Sequence, residues 1–285
     1  MHKKFSAIAF TAIIASASIT GGLIYTTYTS NQTAELRIFT AASLTHVIAN
    51  MTKQFEQANN CKLLINSGSS GALYTQIAEG SPCDIYMSAD NRWTNQLKTD
   101  GFLYQNTAIN FASNSLEVIL APGNPAGITS LADLAKPGIK LVIAEPAVPA
   151  GNYANQTLWK IDSTWGNPSS PQYDASGAYV NYNASVYSNV RSYESNVENV
   201  VGQVSLSGTT GLYDAGIVYT SDGIYSNLTD QQIKFLKIPP EVNQKAMYGI
   251  AIIELTSQPE LAQKFMNFWT SDQGKSLLIH YGFCI

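Results

Sequence analysis

The stretch that decides the fold is Asn66-Ser-Gly-Ser-Ser-Gly-Ala-Leu-Tyr-Thr-Gln-Ile77, in which small residues run directly into apolar ones. Leu73 and Ile77 have the spacing of one helix face, so the pattern predicts a loop that leads into a helix. The first N–H groups of a helix have no intrahelical acceptor and carry the positive end of its dipole. With the hydroxyls of Ser69 and Ser70 beside them, they indicate an anion site that needs no cationic side chain.

The same arrangement occurs earlier in the chain. The strand-like segment 36–39 leads through Ala41-Ala-Ser43 into apolar residues at helical spacing, which predicts a helix with Ser43 at its N-cap. Those apolar residues are Leu44, Val47, Ile48, Met51 and Phe55. Serine is also a common N-cap and a Gly/Ser cluster is usually only a loop, so neither segment alone establishes a site. Two such turns together can converge on one ligand.

Strands and helices alternate along the rest of the chain, which predicts an α/β fold whose parallel strands place ligands at their carboxyl ends. A third strand-to-helix turn holds Pro149, Ala150 and Gly151, where proline suits a helix start. A fourth precedes a valine stripe, with Asn196 or Ser195 as cap; the stripe is Val197, Val200, Val201 and Val204. The strand 214–219 ends in Tyr219 and is followed by a polar turn. Residues 162–190 have little periodicity, and this lack of pattern favours a surface excursion.

Composition excludes several classes of protein. The chain has 285 residues, 45% hydrophobic and 13% charged, which is typical of a globular protein long enough for two lobes. Its formal charge is −4 and no run of Lys or Arg follows residue 30, so we expect no nucleic-acid partner. Three cysteines (Cys61, Cys83, Cys284) are too few for a disulfide framework or a metal knot, and their pairing stays open.

The N-terminus has the pattern of an export segment. Lys3 and Lys4 precede a mostly apolar, uncharged run from Phe5 to Tyr25, which indicates either a cleaved signal peptide or a retained membrane anchor. We therefore expect an extracytoplasmic protein, in the periplasm or on the outer face of the cell membrane. Exposed Asn-x-Ser/Thr acceptors are then candidates for glycosylation: Asn31, Asn50, Asn155, Asn183 and Asn227.

Six motifs, in order over about residues 35–285, resemble the periplasmic molybdate-binding proteins of ABC uptake systems. They are Ala41-Ala-Ser-Leu-Thr45, Gly68-Ser-Ser-Gly-Ala-Leu73 with Gln76-Ile77, Cys83-Asp-Ile-Tyr-Met-Ser-Ala-Asp90, Val148-Pro-Ala-Gly-Asn-Tyr-Ala154, Gly216-Ile-Val-Tyr219 with Ser221-Asp222, and Tyr281-Gly-Phe283. The resemblance implies a two-lobed type II binding protein that closes on molybdate or tungstate and delivers it to a membrane permease. It implies no cofactor, no catalysis and no cation ligands, and we expect a monomer.

The resemblance also implies the donors. Ser43 and Ser70 would donate through hydroxyl and backbone, Ala150 through its backbone N–H and Tyr219 through its phenol. The fifth donor, a backbone N–H at the start of the valine-bearing helix, falls on Val197. Between Val204 and Asp214 this chain is a few residues longer than the family pattern, and if the extra residues lie elsewhere, Val200 takes this role.

We also predict the domain boundaries. Residues 1–33 form the signal peptide or anchor, 34–115 the first part of lobe 1, 116–246 lobe 2, and 247–285 the return to lobe 1, with the ligand between the lobes.

Two alternatives remain from the sequence. A serine hydrolase could use Ser70 or Ser43 with His46 or His280 as base, but residues 68–71 lack the G-x-S-x-G spacing and no acid partner is evident. A receptor for sulfate, ferric iron or another ligand is the other alternative, since the chain has 16 tyrosines that could include iron ligands. Acidic residues near the predicted turns (Asp90, Asp222, Glu194) are interpreted as turn and cap residues, because carboxylates repel a dianion.

Overall fold

The computed structural model describes residues 33–228 and 233–285, and residues 33–285 form one compact unit. The expected signal peptide or anchor, and the acceptor Asn31, lie outside the described residues. In the part of the chain that is described, no helix combines the length and apolar character needed to cross a bilayer.

The described residues form α/β layers built on two sheets. The strands are β1 Ala34–Ala41, β2 Cys61–Gly68, β3 Ile85–Ser88, β4 Leu103–Asn114, β5 Leu116–Leu120, β6 Leu141–Ala144, β7 Val190–Glu194, β8 Ala215–Tyr219, β9 Lys234–Lys237 and β10 Ala246–Ile253. The helices are α1 Thr45–Asn59, α2 Ser70–Ala78, α3 Asn91–Thr99, α4 Pro149–Trp165, α5 Tyr182–Ser188, α6 Val197–Thr210, α7 Thr220–Leu228, α8 Pro259–Thr270 and α9 Asp272–His280. Short 3-10 turns cover Ala42–Leu44 and Leu131–Ala135.

Each sheet has a parallel centre and antiparallel additions. The first has the order β2-β1-β3-β10-β4, in which β1 is parallel to β2 and β3, and β10 runs antiparallel to β3 and β4. The second has the order β7-β6-β8-β5-β9, in which β6 is parallel to β7 and β8, and β5 runs antiparallel to β8 and β9. In both sheets, the carboxyl ends of the parallel strands are followed by the first residues of helices.

Local sequence explains several of the helices. Val47, Ile48, Met51 and Phe55 form the buried face of α1, and Asn60 ends that helix in the left-handed conformation with φ of 46°. Proline opens α4 and α8, where its missing N–H costs nothing. Each fully buried aliphatic side chain contributes about 1.5–3 kcal/mol relative to an exposed one.

The segment 162–190 is only in part the surface excursion that its composition predicts: residues 167–181 are turns without a buried residue, whereas both ends of the segment belong to helices. Helix α4 continues to Trp165, and α5 buries Tyr182 and Val186 completely. The Tyr182 hydroxyl donates to the backbone carbonyl of Leu131 at 2.7 Å, which satisfies its polar atom inside the core. A helix of seven residues is too short for its periodicity to be recognised in the sequence.

Other differences concern short or distant elements. The polar residues after Tyr219 open helix α7 instead of a turn, and β4, β7 and β9 were not predicted. The three cysteines are free thiols, with Cys61 and Cys83 buried and Cys284 exposed.

Candidate functional site

A cavity lies where the carboxyl ends of six strands meet, three from each sheet. Its volume is about 210 Å³ including its mouth. It is lined by neutral residues only: Ala41, Ala42, Ser43, Gly68, Ser69, Ser70, Ala89, Val148, Pro149, Ala150, Asn196, Val197 and Tyr219. The space between these residues is narrow, so the cavity suits a small ligand.

Ser43 reaches the cavity from the 3-10 turn that follows β1. It is buried, and its Oγ lies 2.9 Å from the hydroxyl of Tyr248 in β10. The expectation that Ser43 is an N-cap is wrong, because Leu44 precedes α1 without a side-chain cap. The Ser43 hydroxyl bonds to Tyr248 instead of to the backbone of its own helix.

Ser70 is the first residue of α2 and is fixed by two hydrogen bonds to the protein. Its Oγ accepts the backbone N–H of Ala89 at 3.1 Å, and its carbonyl accepts the Tyr86 hydroxyl at 2.8 Å. Ser69 is the N-cap, and its Oγ accepts the N–H of Ala72 at 3.4 Å. Because a backbone N–H can only donate, the Ser70 hydroxyl keeps its own proton available for the cavity.

Two helices that follow strands of the second sheet begin at the same cavity. Ala150 is the second residue of α4, behind Pro149. The next residue, Gly151, lies so close to the end of β6 that a Cβ would come within 2.1 Å of the Glu145 carbonyl oxygen. Glycine at this position therefore allows the first turn of α4 to approach the strand end.

Val197 opens α6 directly after its N-cap Asn196. The Asn196 Oδ1 accepts the N–H of Asn199 at 2.9 Å, which leaves the earlier N–H groups of the helix without an intrahelical acceptor. Val200 does not line the cavity; it is fully buried and packs against Gly216 in β8. The structure thus brings the Val197 alternative, and not the Val200 alternative, to the cavity.

The Tyr219 hydroxyl is a buried polar group that has no hydrogen-bond partner among the described residues. The side chain is 1% exposed and lines the cavity. Burial raises the pKa of Tyr219 well above its usual value, so the phenol stays protonated and can donate. A buried hydroxyl without a partner costs about 1–3 kcal/mol, which makes this atom a mark of a ligand position.

Of the three acidic residues near the site, Asp90 and Asp222 act at helix starts, whereas Glu194 is the last residue of β7. Asp222 accepts the Tyr219 N–H at 3.0 Å, and burial raises its pKa well above the usual carboxyl value, which favours the neutral acid. Asp90 caps α3 and pairs with Arg92 at 2.6 Å. Glu194 accepts a hydrogen bond from Ser192 at 2.9 Å. None of the three carboxylates lines the cavity.

A contact between α1 and α6 joins elements that carry opposite sides of the cavity. His46 Nε2 lies 3.6 Å from Glu198 Oε1, and the imidazole stacks on the Tyr225 ring with centroids 3.4 Å apart. Burial lowers the pKa of His46 and raises that of Glu198, and both shifts favour the neutral forms.

All five predicted donors therefore border one space, and the predicted bases do not. Neither His46 nor His280 lines the cavity. Sequence reasoning missed Ala89, which follows the carboxyl end of β3 and could have been found by the rule that located the other turns. It also missed Tyr248, whose partner Ser43 is 205 residues away.

Chemically, the cavity offers donors and excludes the ligand sets of metal cations. Helix N-termini and residues with hydroxyl groups border the same space, and these are the groups that bind anions in proteins. Among residues 33–228 and 233–285, no group of three or more His, Cys, Asp or Glu side chains could hold a metal ion.

This architecture, two α/β sheets with a donor-lined cavity between strand ends, defines a solute-binding protein of the two-lobed type II fold. A family model described as bacterial extracellular solute-binding protein matches residues 36–284, and the chain belongs to this family.

Individual relatives fit the same architecture. The molybdate-binding protein ModA of Mycobacterium tuberculosis (strain ATCC 25618 / H37Rv) is 32% identical over 248 residues, which cover 86% of this chain and 83% of that protein. The periplasmic molybdate-binding protein of Azotobacter vinelandii superposes with a TM-score of 0.69 at 20% identity, covering 88% of this chain and 99% of that one. The sulfate-binding protein SubI of M. tuberculosis H37Rv superposes with a TM-score of 0.72 at 16% identity, covering 88% and 86%.

Proposed function

We propose that this chain captures molybdate or tungstate outside the cytoplasm and delivers it to an ABC permease. The observation that carries the proposal is the convergence of Ser43, Ser70, Ala150, Val197 and Tyr219 on one small cavity without a charged lining residue. The 32% identity to a molybdate-binding protein supports the choice of ligand.

The energetics support a donor-only site. An oxodianion enclosed by protein costs many kcal/mol unless its oxygens receive hydrogen bonds. If each charge-assisted bond contributes roughly 1.5–3 kcal/mol, five to seven bonds supply about 8–20 kcal/mol before the costs of ordering and closure. Tight binding is therefore expected without any cation or cofactor.

Donor polarity gives one kind of selectivity and cavity size gives another. A site that only donates has nothing to accept the proton of hydrogen phosphate, so it favours fully ionised anions. Sulfate is also a fully ionised tetrahedral dianion, so its exclusion must depend on size. Molybdate and tungstate are nearly equal in size, and we expect the site to bind both.

We propose binding without catalysis. The hydroxyls of Ser43 and Ser70 are held by Tyr248 and by the Ala89 N–H, and the cavity lining contains no histidine that could act as a base. A ferric site is disfavoured because Tyr219 is the one tyrosine in the lining and no carboxylate joins it.

Strand membership supports the proposed lobes. Strands β1–β4 and β10 share one sheet and β5–β9 the other, in agreement with lobe 1 at 34–115 and 247–285 and lobe 2 at 116–246. We propose that the extracytoplasmic chain acts as a monomer whose N-terminal segment is either removed or retained as an anchor.

Calorimetric titration of residues 33–285, which form the compact unit, tests the function. Molybdate, tungstate, sulfate, hydrogen phosphate and ferric citrate are titrated in parallel into wild type, Ser43→Ala and Ser70→Ala. We expect one-to-one binding of the two larger oxyanions, weakened about 10- to 100-fold in each variant. Tight binding of sulfate or ferric citrate with no heat from molybdate or tungstate would refute the proposed ligand.

A further inference from the structure

The Ser43 hydroxyl is held by a side chain that itself stays out of the cavity. Tyr248 Oη lies 2.9 Å from Ser43 Oγ, and Tyr248 is fully buried but absent from the cavity lining. At this distance one proton lies between the two oxygens, and geometry alone allows either oxygen to be its donor.

The Tyr248 ring is held in place from several sides. It makes edge-on contacts with Phe283 at 5.2 Å, Tyr219 at 5.8 Å and Phe111 at 6.5 Å between ring centroids. Edge-to-face aromatic pairs of this kind are energetically favourable beyond their buried area. The hydroxyl therefore has a fixed position relative to Ser43.

Binding of an oxyanion decides the direction of the Tyr248–Ser43 bond. Ser43 has a single hydroxyl proton, and an oxyanion offers only acceptors. If that proton goes to the anion, the proton between Ser43 and Tyr248 must come from the phenol. We infer that Tyr248 is a positioning residue that donates to Ser43 Oγ and so commits the Ser43 hydroxyl to donate to the bound oxyanion. This inference rests on the proposed function.

Ser70 shows the same device built from backbone. The Ala89 N–H donates to Ser70 Oγ at 3.1 Å and leaves the Ser70 proton for the cavity. With one lone pair of each hydroxyl oxygen occupied in this way and its proton directed to the anion, each serine is less able to accept the proton of a protonated anion. Tyr248 thus contributes to selectivity as well as affinity, although it does not touch the ligand.

The inference is tested by a double-mutant cycle on residues 33–285, with molybdate as the probe. The cycle compares wild type, Tyr248→Phe, Ser43→Ala and the double variant. Tyr182→Phe is the matched control, because Tyr182 is equally buried but donates to Leu131 outside the cavity. We expect Tyr248→Phe to weaken molybdate binding about tenfold when Ser43 is present. In the Ser43→Ala background, we expect the same substitution to weaken binding less than about twofold.

Selectivity provides a second readout that simple loosening of the core would not give. In Tyr248→Phe the Ser43 Oγ has lost its donor, so both of its lone pairs are open and it accepts the proton of hydrogen phosphate more readily. We therefore expect the preference for molybdate over hydrogen phosphate to fall in this variant and to stay unchanged in Tyr182→Phe. Melting curves establish that each variant is folded.

A second variant is available if Tyr248→Phe does not fold. The buried Asn114 side chain donates to Ser221 Oγ at 2.8 Å and also interacts with the Tyr248 hydroxyl. Asn114→Asp offers a carboxylate that draws the phenolic proton away from Ser43. Its effect on molybdate affinity should be larger with Ser43 present than with Ser43→Ala, whereas simple charge repulsion would be equal in both.

The outcomes separate this inference from the proposed function. If wild type binds molybdate and Tyr248→Phe changes the affinity by less than twofold, or equally in both backgrounds, Tyr248 does not act through Ser43. If wild type does not bind molybdate or tungstate, the proposed function fails, and the inference fails with it.

Discussion

Replacing Tyr219 with phenylalanine tests the site through two opposite effects. Tyr219 lines the cavity, and its buried hydroxyl has no partner among the described residues. Removing it should therefore not cost the ligand-free protein a hydrogen bond. It should remove a donor to the bound anion.

The magnitudes follow from the environment of the hydroxyl. A hydrogen bond to a charged acceptor contributes about 1.5–3 kcal/mol, so molybdate affinity should fall about 10- to 100-fold. An unpartnered buried hydroxyl costs about 1–3 kcal/mol, and its removal should leave the melting temperature of the ligand-free protein unchanged or higher. For a chain of this size, each kcal/mol corresponds to roughly 2–4 °C.

Tyr182→Phe is the control with the same substitution and the same burial. Its hydroxyl donates to the Leu131 carbonyl at 2.7 Å, so the variant should melt lower and bind molybdate as wild type does. Calorimetric titration and differential scanning calorimetry of both variants give the comparison. The reasoning is refuted if Tyr219→Phe loses stability as Tyr182→Phe does and keeps its molybdate affinity within twofold of wild type.

Three further predictions concern the surroundings of the cavity. Burial raises the pKa of Glu117 to about 8, against 4.5 in the unfolded chain. The free energy of unfolding should therefore fall as pH rises from 4.5 to 8, by up to about 1.4 kcal/mol per pH unit. In urea unfolding measured at several pH values, Glu117→Gln should make this fall smaller. Gly151→Ala should disturb the first turn of α4 and weaken molybdate binding at least about tenfold, since its Cβ would meet the Glu145 carbonyl oxygen; unchanged affinity would contradict the role of this close approach. Asn196→Ala should lower the free energy of unfolding by about 0.5–2 kcal/mol through loss of the α6 cap, and Asn196→Asp should preserve it in the same urea titration.

The sequence predicted the cavity residues because their signal is local. Ser70, Ala150 and Val197 each stand where a strand gives way to a helix start, and that pattern is legible in a few neighbouring residues. The position of Ser43 was predicted for a wrong reason, since its hydroxyl bonds to Tyr248 and not to its own helix. That a residue lies at the end of a strand was thus easier to predict than the hydrogen-bond partner of its side chain.

The missed features depend on contacts between distant parts of the chain. Strand β4 pairs antiparallel with β10, and β9 pairs antiparallel with β5. The local sequences of β4 and β9 contain no pattern that distinguishes these strands from loops. Helix α5 was missed because its apolar residues are few and its buried Tyr182 relies on a carbonyl 51 residues away. Such elements exist because tertiary burial stabilises them, not because their own sequence strongly prefers that structure.

The distribution of donors over the two sheets makes binding and closure one process under the proposed function. Ser43 and Ser70 follow strands of the first sheet, whereas Ala150 and Val197 follow strands of the second sheet and Tyr219 is the last residue of one. If an anion bound only the donors that follow one sheet, some of its oxygens would have no protein donor. The remaining hydrogen bonds form only when the donors that follow the other sheet also reach the anion. The same arrangement explains why neutral donors suffice: an exposed half-site binds weakly, and the full set of bonds forms where water is excluded and each bond is stronger. A lysine or arginine in either half would bind anions before closure and would lose the dependence on fit.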